Sequence, residues 1–420
     1  MRRFTLAVIL AVILAALLAP HARAENWPQW RGPQLNGHST ETNLPTKWSA
    51  TENVLWKTTI PGAGHSSPIV FNDRVFLTTA LEKDQQRQFL CLDRDTGKIL
   101  WQRDVLKAPL ERKHGLNNFA SSTPATDGRH VFCAFLEMQT VHLFCYDFDG
   151  NLVWRKSPGS FKCMHGWASA PILHKDMVIL NCDQDAEAYL VAYDRNTGEE
   201  RWRADRPNRT RSYCNPLIVE AAGKTQMILT GAKSTASYDP DTGEQYWLFD
   251  GPTEQFVASP VYADGVVFIT GGFPTYHYVG LEPAGSGNIT KTKHVLYHEK
   301  AGAYVPSPIA VGAHVYMVSD QPKHEGEAWC IDAKTGKRVW SQKLGKHHRP
   351  SPVHADGLLY FLDDEGTTHV LRAAPTFELV SKNPLKEKCF ATPAIADGRI
   401  FIRTTESLYC IGKESSAKPE

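Results

Sequence analysis

From residue 67 onward, short apolar runs alternate with turn-forming residues in units of about 45 residues, and a period of that size marks a repeat architecture. Each unit opens on a small residue followed by proline. Ser67-Pro68, Thr123-Pro124, Ala170-Pro171, Asn215-Pro216, Ser259-Pro260, Ser307-Pro308, Ser351-Pro352 and Thr392-Pro393 are eight such openings, 41 to 56 residues apart. After the proline comes a short apolar strand, a turn such as Asp127-Gly128, Asp264-Gly265, Asp356-Gly357 or Asp397-Gly398, and a strand rich in β-branched and aromatic residues, as in VVFIT and LLYFL. That is the pattern of a hairpin. A third strand ends in an aromatic or aliphatic residue and Asp, and a turn carrying Thr-Gly leads to a fourth strand ending in Trp. LDRDTGKILW, YDRNTGEERW, YDPDTGEQYW and IDAKTGKRVW are complete copies, and YDFDGNLVW is a shortened one. Gly97, Gly198, Gly243 and Gly336 supply the positive φ that the turn demands. Trp101, Trp154, Trp202, Trp247 and Trp340 share one repeated position, where an indole covers the seam between neighbouring units.

Four antiparallel strands per unit, eight units and almost no helical periodicity predict an all-β chain whose small sheets close into a ring, since a ring hides the sheet edges. The expected fold is an eight-bladed β-propeller. The eighth unit reads only as far as LYCIG around Cys410, without a fourth strand. Val54-Leu55-Trp56-Lys57 has the form of the missing strand, Trp56 included, so an N-terminal strand is expected to close the last blade. The chain then divides into a signal peptide (1–24), an N-terminal capping segment (25–52), the propeller (53–412) and a polar tail (413–420).

The Asp-x-x-Thr-Gly-x-x-x-Trp motif resembles that of quinoprotein dehydrogenases and of pyrroloquinoline-quinone-like (PQQ-like) propeller proteins generally, and the resemblance covers nearly the whole mature chain. Units five, seven and eight depart from it. Glu282 to Asn288 replaces the usual turn, Ala373 to Leu379 has no Trp, and unit eight lacks its own last strand. The opening Trp27-Pro28-Gln29-Trp30-Arg31-Gly32-Pro33 also resembles the leader of exported bacterial PQQ-like repeat proteins, and reads as a cap that packs two indoles on the ring. In architecture and size the chain resembles the outer-membrane assembly lipoprotein BamB, without that protein's lipobox cysteine.

Forty-six Lys and Arg against 45 Asp and Glu leave a net charge of +1, so no overall field draws the protein to nucleic acid or an anionic membrane. Arg2 and Arg3 precede an apolar run from Phe4 to Ala19, and Ala22-Arg23-Ala24 has the small residues of a cleavage site. This predicts export by general secretion to the periplasm or beyond, with no membrane anchor in the mature chain, which is expected to be a monomer. Nine cysteines cannot all pair. Cys91, Cys145, Cys330 and Cys410 occupy equivalent places in different units and read as small core residues. Cys133 and Cys145 are the one disulfide candidate, across adjacent strands of one blade.

Segments entering each first strand line the mouth of a propeller's channel, so residues three to six positions before each repeated proline are candidates for a common site. They are His65, Asn118, His165 with Trp167, Arg211 with Tyr213, Glu254 with Gln255, Tyr304, His348 with Arg349, and Lys388. Such residues could stack and clamp a flat, anionic, aromatic ligand. The acidic turns Asp183 to Glu187, Asp320 and Asp363-Asp364-Glu365 open on the same face and are a candidate calcium site. Cys163-x-His165, the Asp93-x-Asp95 and Asp239-x-Asp241 pairs and Lys346-His347-His348-Arg349 read as loop, turns and a solvated run, so no metal ligand is assigned. The insertion Gly271 to Asn288 reads as loop-length variation, with a lid or partner contact as the alternative.

Two functions follow. The first, ranked ahead, is a ligand- or protein-binding scaffold of the cell envelope, its partner an envelope protein or small ligand held on a loop face. The second, implied by the resemblance, is a quinoprotein dehydrogenase using PQQ with calcium to oxidise alcohols or sugars. The family's catalytic residues cannot be carried over by position. The chain has no adjacent cysteine pair and no Cys-x-x-Cys-His haem site, and fold alone does not confer the activity.

Overall fold

The computed structural model describes residues 25–413 and forms an eight-bladed β-propeller of antiparallel, four-stranded blades. The proposed signal peptide and all but the first residue of the polar tail lie outside the described residues. Among those described, no helix is long and apolar enough to cross a membrane. Blade 1 runs Ile69–Phe71, Arg74–Leu81, Gln86–Asp93 and Ile99–Lys107, and the other blades repeat that order. Blade 8 takes three strands from the C-terminal part (Ala394–Ala396, Arg399–Arg403, Ser407–Ile411) and its outer strand from Val54–Thr59, which pairs antiparallel with the third, Trp56 opposite Cys410. Pairing the two ends of the domain in one sheet ties the ring shut at the closure.

The repeated Trp and Gly meet across blades. The Trp56 indole donates to the Arg94 carbonyl (2.8 Å), Trp101 to Phe148 (2.8 Å), Trp154 to Arg195 (3.2 Å) and Trp202 to Pro240 (3.2 Å), each in the next blade's turn. A Cβ on Gly97 would stand 2.5 Å from the Trp56 ring, and one on Gly243 would stand 2.6 Å from Trp202. These glycines are thus required twice, for positive φ and for the indole that lies on them. Gly336 lies instead under Tyr297 of blade 5, which takes the part of the missing Trp and donates to the Ala333 carbonyl at 2.8 Å. Trp340 donates to Ala374 of blade 7.

Trp247 departs from the pattern. Blade 5 has no Thr-Gly turn to receive it, so its indole is fully buried and donates to Gln226 Oε1 at 2.9 Å. The segment that replaces the turn sends Gly287–Asn288 back to pair in parallel with Trp247 and Leu248, a fifth strand on blade 4.

Cross-strand register explains the recurring cysteines. Cys91, Cys145, Cys330 and Cys410 stand opposite Trp101, Trp154, Trp340 and Trp56, while Ala192 and Gly280 stand opposite Trp202 and Tyr297. A small side chain is needed beneath each large ring. All nine cysteines are free thiols, which corrects the disulfide candidate. Cys133 pairs with Phe144 and Cys145 with Phe132. One residue out of register puts the two sulfurs on opposite faces of the sheet, and they fall in different core clusters.

The eight openings form a girdle around the axis. A residue before proline is restricted to extended backbone, so its N–H points sideways to the next blade. The Ser67 amide donates to Thr123 Oγ1, Ala170 to Asn215 Oδ1, Asn215 to Ser259 Oγ, Ser259 to Ser307 Oγ, Ser307 to Ser351 Oγ and Ser351 to Thr392 Oγ1, at 2.8–3.1 Å. Between blades 2 and 3 this relay stops, because the Ala170 methyl cannot accept. At the closure between blades 8 and 1, the buried Arg403 guanidinium donates to the Ser66 and Thr78 carbonyls (3.0 and 2.7 Å).

Residues 25–52 cover the end of the ring that carries the Asp-Gly turns. Trp27 is fully buried and bridges Val70, Pro28 accepts from the Thr126 amide, and Gln29 accepts from Leu173, in blades 1, 2 and 3. Arg31 donates to Pro308 of blade 6 at 2.6 Å, and Glu41 accepts from Asp397 and Gly398 of blade 8.

Two outcomes test these contacts by urea unfolding. Ala170→Ser supplies the missing acceptor and should stabilise by about 1 kcal/mol, whereas Ser307→Ala strands the Ser259 amide and should cost about 1–3 kcal/mol. Gly97→Ala should cost about 2–4 kcal/mol, from the left-handed backbone and the Trp56 overlap together, against about 1–2 for Gly223→Ala, whose Cβ meets nothing within 4 Å.

Candidate functional site

Extended backbone alternates its side chains, so the girdle also decides what faces the axis. Residues two before each proline point into the blades: Ser66, Ser122, Ser169, Cys214, Ala258 and Ala391 are all buried. Residues one and three before it face the channel. Seven of the first set, all but Ser259, line with Trp30 a narrow space of about 120 Å³ in the ring. The second set comprises His65, Ser121, Ala168, Tyr213, Val257, Val305, Arg349 and Phe390, one from each blade, and all eight line a mouth cavity of about 520 Å³. Trp30, from the leader, lines the narrow space, with the Arg31 guanidinium 5.6 Å from its ring.

Of the residues expected at the mouth, His65, His165, Arg211, Tyr213, Gln255, Tyr304 and Arg349 line this cavity. Asn118, Trp167, His348 and Lys388 do not. Asn118 is buried and turns its Oδ1 to the Ala120 amide at 3.1 Å. Trp167 packs edge-on against Phe161 inside the blade 2–3 core. His348 is buried beside His369 within blade 7, and Lys388 projects outward at the surface. A window of three to six positions is wider than the alternation allows. Counting three positions from the proline finds Phe390, which that window passed over in favour of Lys388. His114, Leu116, Asn117, Met164 and Phe273 also line the cavity, and their approach depends on loop paths that no repeat position signals.

The lining is ordered by two ion pairs and several ring contacts. Arg211 Nη1 holds Asp185 at 2.8 and 2.9 Å, and its Nε donates to His165 Nδ1 at 3.3 Å. The His165 ring stacks on Tyr213 (centroids 6.2 Å) and meets His114 (5.2 Å). Tyr213 OH lies 3.0 Å from Cys163 Sγ, so this cysteine serves the cavity wall. Across the mouth, Arg349 pairs with Asp364 and lies over the Phe390 ring, which in turn meets His65 at 4.7 Å. Tyr304 OH donates to Gln255 Oε1 at 3.2 Å.

Burial, and then the Arg403, Lys113 and Arg349 charges, hold His65 at about 3. Burial, Arg211 and His114 lower His165 also. Both rings are therefore neutral at pH 7. Burial raises the Asp320 carboxyl even though it accepts from the Tyr304 and Val305 amides at 2.7 and 2.9 Å. The acidic turns proposed as a calcium site are held apart in blades 3, 6 and 7. Asp183 is locked to Arg206 (2.9 Å), Asp185 to Arg211, Asp320 to two amides and Asp364 to Arg349. Among the described residues, the cavity lining contains two guanidiniums, three imidazoles and no carboxylate. A second cavity, about 530 Å³, opens at the other end between the leader and blades 3 and 4.

A PQQ-like repeat family described as outer membrane protein assembly factor BamB matches residues 39–111, 88–342 and 325–414. Outer membrane protein assembly factor BamB of Burkholderia pseudomallei is 32% identical over 108 residues, 26% of this chain and 26% of that protein. Methanol dehydrogenase [cytochrome c] subunit 1 of Paracoccus denitrificans is 28% identical over 171 residues, 38% of this chain and 25% of that protein. The chain thus spans about a quarter of the length of these curated relatives. The structure of quinohemoprotein alcohol dehydrogenase from Comamonas testosteroni superposes with a TM-score of 0.68 at 14% identity, covering 96% of this chain and 82% of that one. At that identity the likeness is one of fold.

The depressed His65 sets an acid limit. Its folded pKa, about 3, lies below the unfolded value near 6.5, so between the two the unfolded chain binds the extra proton and stability falls as pH falls. One such group contributes a slope of at most about 1.4 kcal/mol per pH unit. In urea titrations from pH 7 to 4, His65→Gln should flatten the curve relative to the wild type. An unchanged slope would show that His65 protonates without cost.

Proposed function

The chain belongs to the PQQ-like repeat family described as outer membrane protein assembly factor BamB, and from that premise we propose that it is an exported binding scaffold of the cell envelope. Its mouth cavity receives an acidic, aromatic-bearing segment of a partner protein. The observation that carries this reading is the character of the rim. Leu116, Met164 and Phe273, exposed by 45%, 42% and 48%, converge on a cavity whose interior presents Arg211 and Arg349. Exposed apolar side chains gathered around a concave pocket, where Arg211 and Arg349 each keep donors beyond those given to Asp185 and Asp364, suit a protein segment that buries a ring and offers carboxylates to guanidiniums. The narrow space that shares its lining residues and reaches Trp30 gives the cavity the depth of a socket.

The second reading, a quinoprotein dehydrogenase, meets a mismatch in donor set. Arg211, Arg349, Tyr213 and Phe390 suit a flat molecule that carries carboxylates. A calcium ion, however, takes six to eight oxygens, with carboxylates prominent among them. The lining offers amide and hydroxyl oxygens from Asn117, Gln255 and Ser121, and the nearby carboxylates are committed elsewhere. The donor set among the described residues does not fit the calcium that the quinone would need, and the lining offers imidazoles but no carboxylate as base.

A photo-crosslinking residue in place of Phe273, in cells expressing the full chain, should yield a discrete adduct with an envelope protein. Arg211→Gln together with Arg349→Gln should weaken that capture at least about tenfold, the scale of a lost charge-assisted bond. Saturable binding of PQQ with calcium, accompanied by dye reduction with alcohols or sugars, would overturn the scaffold reading.

A further inference from the structure

We propose that blade 7 contains a site for a divalent transition-metal ion of the zinc class, formed by His348, Asp363 and His369. The three residues come from different parts of the blade. His348 precedes the first strand (Val353–Ala355), Asp363 follows the second (Leu358–Leu362), and His369 lies in the third (Thr367–Arg372) opposite Phe361. One nitrogen from each histidine and one carboxylate oxygen all lie within 4.8 Å of one another. Three atoms so placed share a point within about 2.8 Å of each, against zinc–ligand distances of about 2.0–2.2 Å. Less than 1 Å of closure is needed.

Burial makes this arrangement unusual. His348, His369 and Asp363 are 2%, 3% and 9% exposed, and both ring nitrogens of His348 and Nδ1 of His369 lack a well-formed hydrogen bond, with only looser approaches to the backbone of Lys346 for His348 and of Phe361 and Leu344 for His369. Buried polar atoms are ordinarily satisfied, and each neutral imidazole here has one nitrogen without a proton whose lone pair is free to bind. A cation would take one such lone pair from each ring. The carboxylate is held from behind, its Oδ1 accepting from the Thr367 and Glu365 amides at 2.7 and 3.1 Å. Gly345 passes close by; an added Cβ there would stand 3.3 Å from His348 Cε1 and 3.5 Å from Asp363 Oδ2.

Two nitrogens and one oxygen select a borderline ion such as zinc over calcium or magnesium, which take oxygen alone. The nearby Cys389 thiol donates to the Glu387 carbonyl at 3.5 Å and stays outside the set. The site adjoins the mouth. His348 and Asp363 are followed directly by Arg349 and Asp364, the ion pair on the cavity wall. An ion on the first pair would hold the second in place, so occupancy would preset one side of the socket. The metal site stands on its own geometry, whether or not the mouth binds a partner.

The test uses the full mature chain, stripped with chelator, incubated with zinc, desalted and analysed for bound metal. The wild type should retain about one equivalent, and His348→Gln and His369→Gln should each retain under about a tenth. Cobalt should give the same stoichiometry and a visible absorption band typical of few-coordinate nitrogen and oxygen ligation. A thermal unfolding midpoint raised by zinc in the wild type and unmoved in both variants would agree. Should the variants misfold, Asp363→Asn provides a near-isosteric replacement that lowers zinc retention without removing a ring. Wild-type protein that retains no zinc, or variants that retain a full equivalent, would overturn the proposal.

Discussion

The girdle of small polar residues before proline governs the rest of the molecule. Proline fixes the preceding residue in extended backbone and removes one donor, leaving a single N–H that must be satisfied in a buried ring. A serine, threonine or asparagine oxygen from the next blade meets that need, and the same contact recurs around the axis. Each blade thereby sets the angle of its neighbour. The consequence reaches the surface, because the residue two positions upstream shares the same side of the extended strand and must look into the channel mouth.

Outside the girdle, the seams are held by a ring on a glycine. Trp56, Trp101, Trp154 and Trp202 each span two blades, with the indole N–H bound to the next blade and the ring lying over its turn. The indole needs a small partner on its own sheet, which is why cysteine, alanine and glycine recur there. Where the turn is missing, in blade 5, the neighbouring Trp247 goes into the core and a parallel strand covers the gap. Repetition with local repair suits a fold in which each unit contacts only its neighbours.

Some of the site was legible and some was not. His65, Tyr213 and Arg349 are found by counting from a proline. Asn118 and Trp167 lie in the same upstream window but turn inward, and the window had no means of telling the two faces of an extended segment apart. Phe273 and Leu116 reach the cavity through loops whose course depends on packing across blades. The triad of His348, Asp363 and His369 is scattered over 22 positions and carries no spacing that metal motifs share.

The sequence by itself determined the repeat, the blade count, the strand order within a blade and the closure by Trp56, because each rests on local chemistry that recurs: a proline, a turn glycine, an alternation of apolar residues. Tertiary structure alone decided which side chains share a space. Register placed Cys133 and Cys145 on opposite faces of one sheet, the bend of each loop chose the residues at the mouth, and folding gathered three separated ligands within blade 7. Those outcomes depend on distances between chain segments that no local pattern encodes.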